Sequence, residues 1–154
     1  MIPKKEDVIH AFQAQLRSRL ESVEQITASA RDEATNDETR SEGKYDTRAI
    51  EASYLAAGQG QRMAALRQLL VWFDQFNFTD SEVVGIGALV QIKSGTILLV
   101  GPVGGEQITI AGKKVTLLGA RSPLGQALIG CEIDDEIAWP TPRGVRTETI
   151  VHVN

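Results

Sequence analysis

From Glu6 to about Ala34 the chain contains neither glycine nor proline. Through this stretch apolar residues recur as Val8, Phe12, Leu16, Leu20, Val23, Ile26 and Ala30, always three or four positions apart. Steps of three and four keep side chains on one face of a helix. The result is an apolar stripe of the coiled-coil kind, with Arg17, Arg19, Glu21 and Glu24 between its members. A helix of about 28 residues is roughly 42 Å long. A stripe of that length cannot bury itself, so the spacing predicts a second helix to cover it.

The second stripe runs between Asp46 and Phe76 as Ile50, Tyr54, Ala57, Met63, Leu66, Leu70 and Phe73, with Leu69, Trp72 and Phe76 widening its far end. Gly58 and Gly60 each weaken this helix by up to about 1 kcal/mol relative to alanine. In an antiparallel hairpin, facing residues have numbers with a constant sum. A sum near 80 pairs Val8 with Trp72 and Phe73, Phe12 with Leu69, Leu16 with Met63, and Ile26 with Tyr54. That register predicts a hairpin over residues 1–77 with a bulky end at 8–20 and 63–76 and a tip near 36–46. Apolar residues almost vanish between Arg31 and Asp46.

Thr79-Asp80-Ser81-Glu82 has capping-box spacing and marks the boundary of a second domain, 78–154. Beyond it the period changes from 3.6 to 2. Strands are predicted at 88–92, 96–100, 107–110, 114–118, 136–139 and 147–153, with glycine-containing turns between several of them. Ser122-Pro123 through Gly130 reads as one short helix, with a serine cap, proline at the first helical position and glycine at the far end. The expected class is α+β: an antiparallel helical hairpin followed by a module of short antiparallel strands around one small helix.

Charge narrows the function. The formal net charge is −4. Residues 1–77 carry 10 Lys/Arg against 12 Asp/Glu, and residues 78–154 carry 6 against 8. Neither half is basic, which argues against a protein that grips bare nucleic acid through its phosphates. Cys131 is the single cysteine, so paired thiolates cannot hold a metal and no intrachain disulfide forms. The start lacks a signal-peptide core, and the most apolar window, Val83–Val100, contains Gln91, Lys93 and Ser94. A cytoplasmic protein without a membrane span is expected.

Among chemistry-bearing groups, the acidic tip comes first. Asp37, Glu38, Glu42 and Asp46 put carboxylates at the end of a long rod, where hard cations such as Mg²⁺ find oxygen ligands. Arg40 and Lys44 dilute that charge, and a solvated loop gives the same composition. Ser122 has no histidine near it in sequence, since His10 lies in the first helix and His152 in the last strand, so a Ser-His pair is not expected. Gly85–Gly87 and Gly101–Gly105 match no nucleotide-binding fingerprint and read as turn residues. Cys131 reads as a small core hydrophobe.

The stretch Ser122-Pro123-Leu124-Gly125-Gln126-Ala127-Leu128-Ile129-Gly130 through Asp135-Glu136 resembles the signature of the FKBP-like C-terminal domain of the bacterial Gre transcription elongation factors. Ile137 to Pro142, Gly144 and Glu148 to Val153 continue the likeness. Glu51-Ala52-Ser53-Tyr54-Leu55-Ala56-Ala57 is similar to the start of that family's second hairpin helix. The resemblance implies a monomeric accessory factor with no catalytic residues of its own. The C-terminal module would dock at the rim of the RNA polymerase secondary channel through Ser122, Pro123 and Leu124, with nucleic acid met only inside the elongation complex. The tip carboxylates would help hold a second Mg²⁺, shared with the polymerase and not tightly bound, so that the polymerase hydrolyses backtracked RNA.

The tip departs from the family pattern. The family's Asp and Glu stand three apart; counting back from Tyr54, those positions hold Thr47 and Ile50. Asp37, Glu38 and Glu42 are then the candidates. An alternative is a channel competitor that stimulates no cleavage. Arg121 stands where a small, acidic or amide residue is expected. A prolyl isomerase, the more distant alternative, needs an aromatic-lined pocket, and the C-terminal half offers only Phe78 and Trp139. Dimerisation through the hairpin is the third reading, weakened because each stripe already has an intramolecular partner.

Overall fold

The computed structural model describes the backbone of residues 1–40 and 47–154, and the side-chain surroundings of these residues apart from 27, 30–40, 47–57 and 59. The chain divides into two compact units, Gln13–Asp74 and Met1–Phe12 with Gln75–Asn154. Two helices, α1 (Lys5–Arg40) and α2 (Thr47–Gln75), make up the first half. The first runs six residues beyond Ala34, because nothing from Arg31 to Arg40 is a glycine or proline that would stop it.

In the helical unit the two stripes are buried: Leu16 and Val23 on α1, and Met63, Leu66, Leu69, Leu70 and Phe73 on α2. Ile26 is 45% exposed, so burial on α1 thins beyond Val23. Polar contacts set the register. Gln13 Nε2 donates to Asp74 Oδ1 at 3.0 Å, Arg17 pairs with Asp74 at 3.2 Å, and Arg67 with Glu24 at 3.0 Å. These residue numbers sum to 87 and 91, not 80, and the hairpin's midpoint moves from residue 40 to the segment between Arg40 and Thr47. Stripes that repeat every three or four residues look alike after a shift of two turns, so periodicity alone leaves this register open. Exposed pairs of this kind contribute little to stability; they specify alignment.

The other unit holds six strands, β1 (Leu89–Ile92), β2 (Ile97–Gly101), β3 (Gln107–Ile110), β4 (Lys113–Gly119), β5 (Glu136–Thr141) and β6 (Gly144–Val153), with α3 (Pro123–Leu128) between β4 and β5. Their order is β3-β4-β2-β1-β6-β5. The pairing is antiparallel except between β2 and β4, which run parallel, Ile97 beside Val115 and Gly101 beside Gly119. This corrects the expectation of a purely antiparallel module. The reason is the β3–β4 hairpin, closed by Ala111 and Gly112 at φ 50° and 76°, which lies at the outer edge and returns the chain beside β2 in β2's own direction. Alternation marks strands without stating their direction.

All five residues of β2 are buried, as expected of an interior strand. Val90, Ile92, Leu98, Val100, Ile137, Trp139 and Ile150 from the strands close over Leu128 of α3, with Leu124 and Ala127 packed against the same core. The sheet thus wraps one short helix, and that sets where α3's first turn emerges. Thr79–Glu82 starts no helix. Ser81 Oγ instead bonds to the Val83 amide and carbonyl, and Val84 N donates to the Cys131 carbonyl at 2.8 Å. Gly85 and Gly87 follow directly, too close for a helix to form.

The first turns of α1 belong to this unit. Val8 and Phe12 are fully buried, and Lys5, 7% exposed, donates its ammonium to the carbonyls of Thr79 at 2.8 Å and Asn154 at 2.9 Å.

Candidate functional site

The start of α3 is built by local chemistry. Ser122 caps it in an extended conformation, φ −65° and ψ 158°. Its hydroxyl accepts from the Gly125 amide at 3.1 Å and donates to the Gly119 carbonyl at 2.7 Å. Pro123 stands at the first helical position, where its missing N–H costs nothing. At the far end Gly130 takes φ 87°, the left-handed conformation that ends helices. A Cβ at Gly125 would collide with the Gly119 carbonyl oxygen and stand 2.9 Å from that of Ala120, so glycine is what lets α3 sit down on the end of β4. Pro123 is left exposed and Leu124 half-buried.

Beside this turn runs an open groove of about 760 Å³. Ile86, Pro102 and Val103 form its apolar wall, and the backbones of Gly104 and Gly119 its floor. The floor is tight: a Cβ at Gly104 would stand 2.6 Å from the Gly119 nitrogen and 2.9 Å from the Leu117 carbonyl oxygen. Gly105 N donates to Leu117 O, and Ala120 N to Gly101 O, which closes the loop onto β4. Arg121 and Ser122 form the lip. The Arg121 carbonyl accepts from Gln126 Nε2 at 3.1 Å. Ile86, Val103 and Gly104 were missed as site residues in the sequence. The available signal was a valine held between Pro102 and two glycines, which buries nothing in a turn.

The remaining candidates separate clearly. Cys131 packs at the edge of the core and its Sγ lies 3.3 Å from the Ala127 carbonyl. Burial, and secondarily the charge of Asp135, push its thiol up from the ordinary range, so it is a weak nucleophile. His152 sits on β6 opposite Gln91, with no serine among its pairing neighbours, and its buried Nε2 has no hydrogen-bond partner among the described residues. Trp139 is core, with the Arg146 guanidinium 5.7 Å from its ring centre, and neither Trp139 nor Phe78 lines the groove. Asp37 and Glu38 fall in the last turn of α1, but the side chains of Asp37, Glu38, Glu42 and Asp46 lie outside the described residues. Among the described residues no three His, Cys, Asp or Glu side chains come together as a metal site, and no helix is long and apolar enough to cross a membrane.

Residues 79–154, the segment that carries α3 and the groove, match the model of the C-terminal domain of the transcription elongation factors GreA and GreB. This segment is a GreA/GreB C-terminal domain. Among solved structures, the GreA factor homolog Gfh1 of Thermus thermophilus is 22% identical, over 94% of this chain and 95% of that one, with a TM-score of 0.40. Gfh1 of Thermus aquaticus is 21% identical over 94% and 95%, with a TM-score of 0.38. A GreA/GreB factor of Nitrosomonas europaea is 23% identical over 68% of this chain and 92% of that one, at 0.33. No curated protein matches the chain.

Proposed function

We propose that this chain binds RNA polymerase at the rim of its secondary channel, holding on through Ser122, Pro123 and Leu124 and entering the channel with the hairpin. The observation that carries this reading is the first turn of α3. A proline stands exposed and a leucine half-exposed on a helix start that the Ser122 cap and the Gly125 contact hold rigid. Preformed apolar anchors lose little entropy on docking, which is what a binding surface needs. The tip carboxylates Asp37, Glu38, Glu42 and Asp46 act in the polymerase's site, where they share its Mg²⁺ and the polymerase itself performs the hydrolysis.

Core polymerase should retain the full-length protein in a pull-down, and changing Pro123 and Leu124 together to alanine should weaken retention at least tenfold. Absence of binding by the unaltered protein overturns the proposal. On a backtracked elongation complex with Mg²⁺, the protein should release short 3′ RNA fragments, and Asp37, Glu38 and Glu42 changed together to alanine should abolish that release. A protein that binds and releases nothing is a channel competitor, the reading favoured by Thr47 and Ile50 standing where the family's acidic pair is expected.

A further inference from the structure

We infer that the groove beside α3 receives an apolar side chain of the polymerase with a carboxylate next to it, and that Arg121 is the residue that selects for the carboxylate. This rests on the docking reading above and names the chemistry of the surface that meets it.

Ile86 is 45% exposed and Val103 56%, both on one groove whose floor is glycine backbone. Neighbouring exposed apolar residues over a rigid concave floor fit a side chain inserted from another molecule. Arg121 is the one charged residue among those lining the groove. Arg17, Arg67 and Arg146 each have a carboxylate within 3.2 Å, whereas the Arg121 guanidinium has no ion-pair partner among the described residues. An unpaired guanidinium presents a planar fork of donors that matches a carboxylate bidentately. Apolar walls with one free arginine at the lip therefore complement an apolar residue flanked by an acid. The lip is continuous with Ser122 and Pro123, so one element of the polymerase can cover the helix start and the groove together.

The test is a titration of core polymerase with full-length protein at low and high salt. R121E should weaken binding about a hundredfold and R121Q about tenfold at low salt, with the differences shrinking as salt rises. R121K should fall between R121Q and the unaltered protein, because a lysine keeps the charge and loses the fork. V103E, which puts a second carboxylate into the apolar wall, should weaken binding at least tenfold at either salt. R143E, on the β5–β6 turn and outside the groove, should bind as the unaltered protein does. Arg121 and Val103 are both exposed, so these variants fold. If R121E and V103E bind normally while the Pro123/Leu124 double variant does not, the groove inference is overturned and the docking reading stands. If the unaltered protein does not bind, both fall.

Discussion

Lysine is seldom fully buried, yet Lys5 is 7% exposed with two backbone carbonyls on its ammonium. Burial lowers its pKa, with Asp80 pulling in the opposite direction. Replacing it by methionine keeps the stem and strips the carbonyls of Thr79 and Asn154 of their donor, a loss of roughly 1–3 kcal/mol in urea unfolding. The pH dependence has a definite sign. Between its lowered folded pKa and the ordinary value, the unfolded chain binds the proton and the folded chain does not. Stability contributed by this residue therefore rises with pH across that window. As pH rises toward the ordinary lysine value of 10.5, the unfolding free energies of the natural protein and Lys5→Met should keep a constant difference if the proton on Lys5 is irrelevant and diverge if it is displaced on folding. Nothing local in the sequence singles Lys5 out. Its two acceptors lie 74 and 149 residues away, beyond any local signal.

The elements differ in how openly the sequence announced them. α3 was legible residue by residue, because Ser122, Pro123 and Gly130 act through capping and backbone conformation, which are local. The hairpin register was not legible, since it depends on Gln13 and Arg17 meeting Asp74. Nor was the parallel β2–β4 pair, which depends on where β3 goes. The groove escaped for the same reason: Ile86, Val103 and Arg121 come from three separate loops. At this scale Ser122→Ala should cost about 1 kcal/mol by loss of the cap. Gly125→Ala should cost more, about 1–3 kcal/mol, because its methyl meets fixed carbonyl oxygens instead of a movable side chain. Exposed Gln126→Ala should cost least. A urea series that reverses this order would show that α3 is not seated by Gly125.

For the molecule as a whole, residues 1–12 belong to the β-rich unit although 62 residues of helical unit separate them from the rest of it. A chain begun at Gln13 loses the burial of Val8 and Phe12 and the bonds of Lys5. Its β-rich unit should unfold several kcal/mol more easily, read as a lower urea midpoint for Trp139 fluorescence. An unchanged midpoint would show that the first helical turns are dispensable to it.

The bond from Lys5 to Asn154 also bears on the order of events in folding. β6 is an interior strand that pairs with both β1 and β5, and it follows the other five strands in the chain. Until β6 is made, β5 has no neighbour in the sheet, and Lys5 at the start of α1 waits for Asn154, 149 residues on. The helices can form and meet on the growing chain, because their contacts are nearer in sequence. The β-rich unit can close only once β6 is in place, so the sheet that seats α3 is finished after the helices have met.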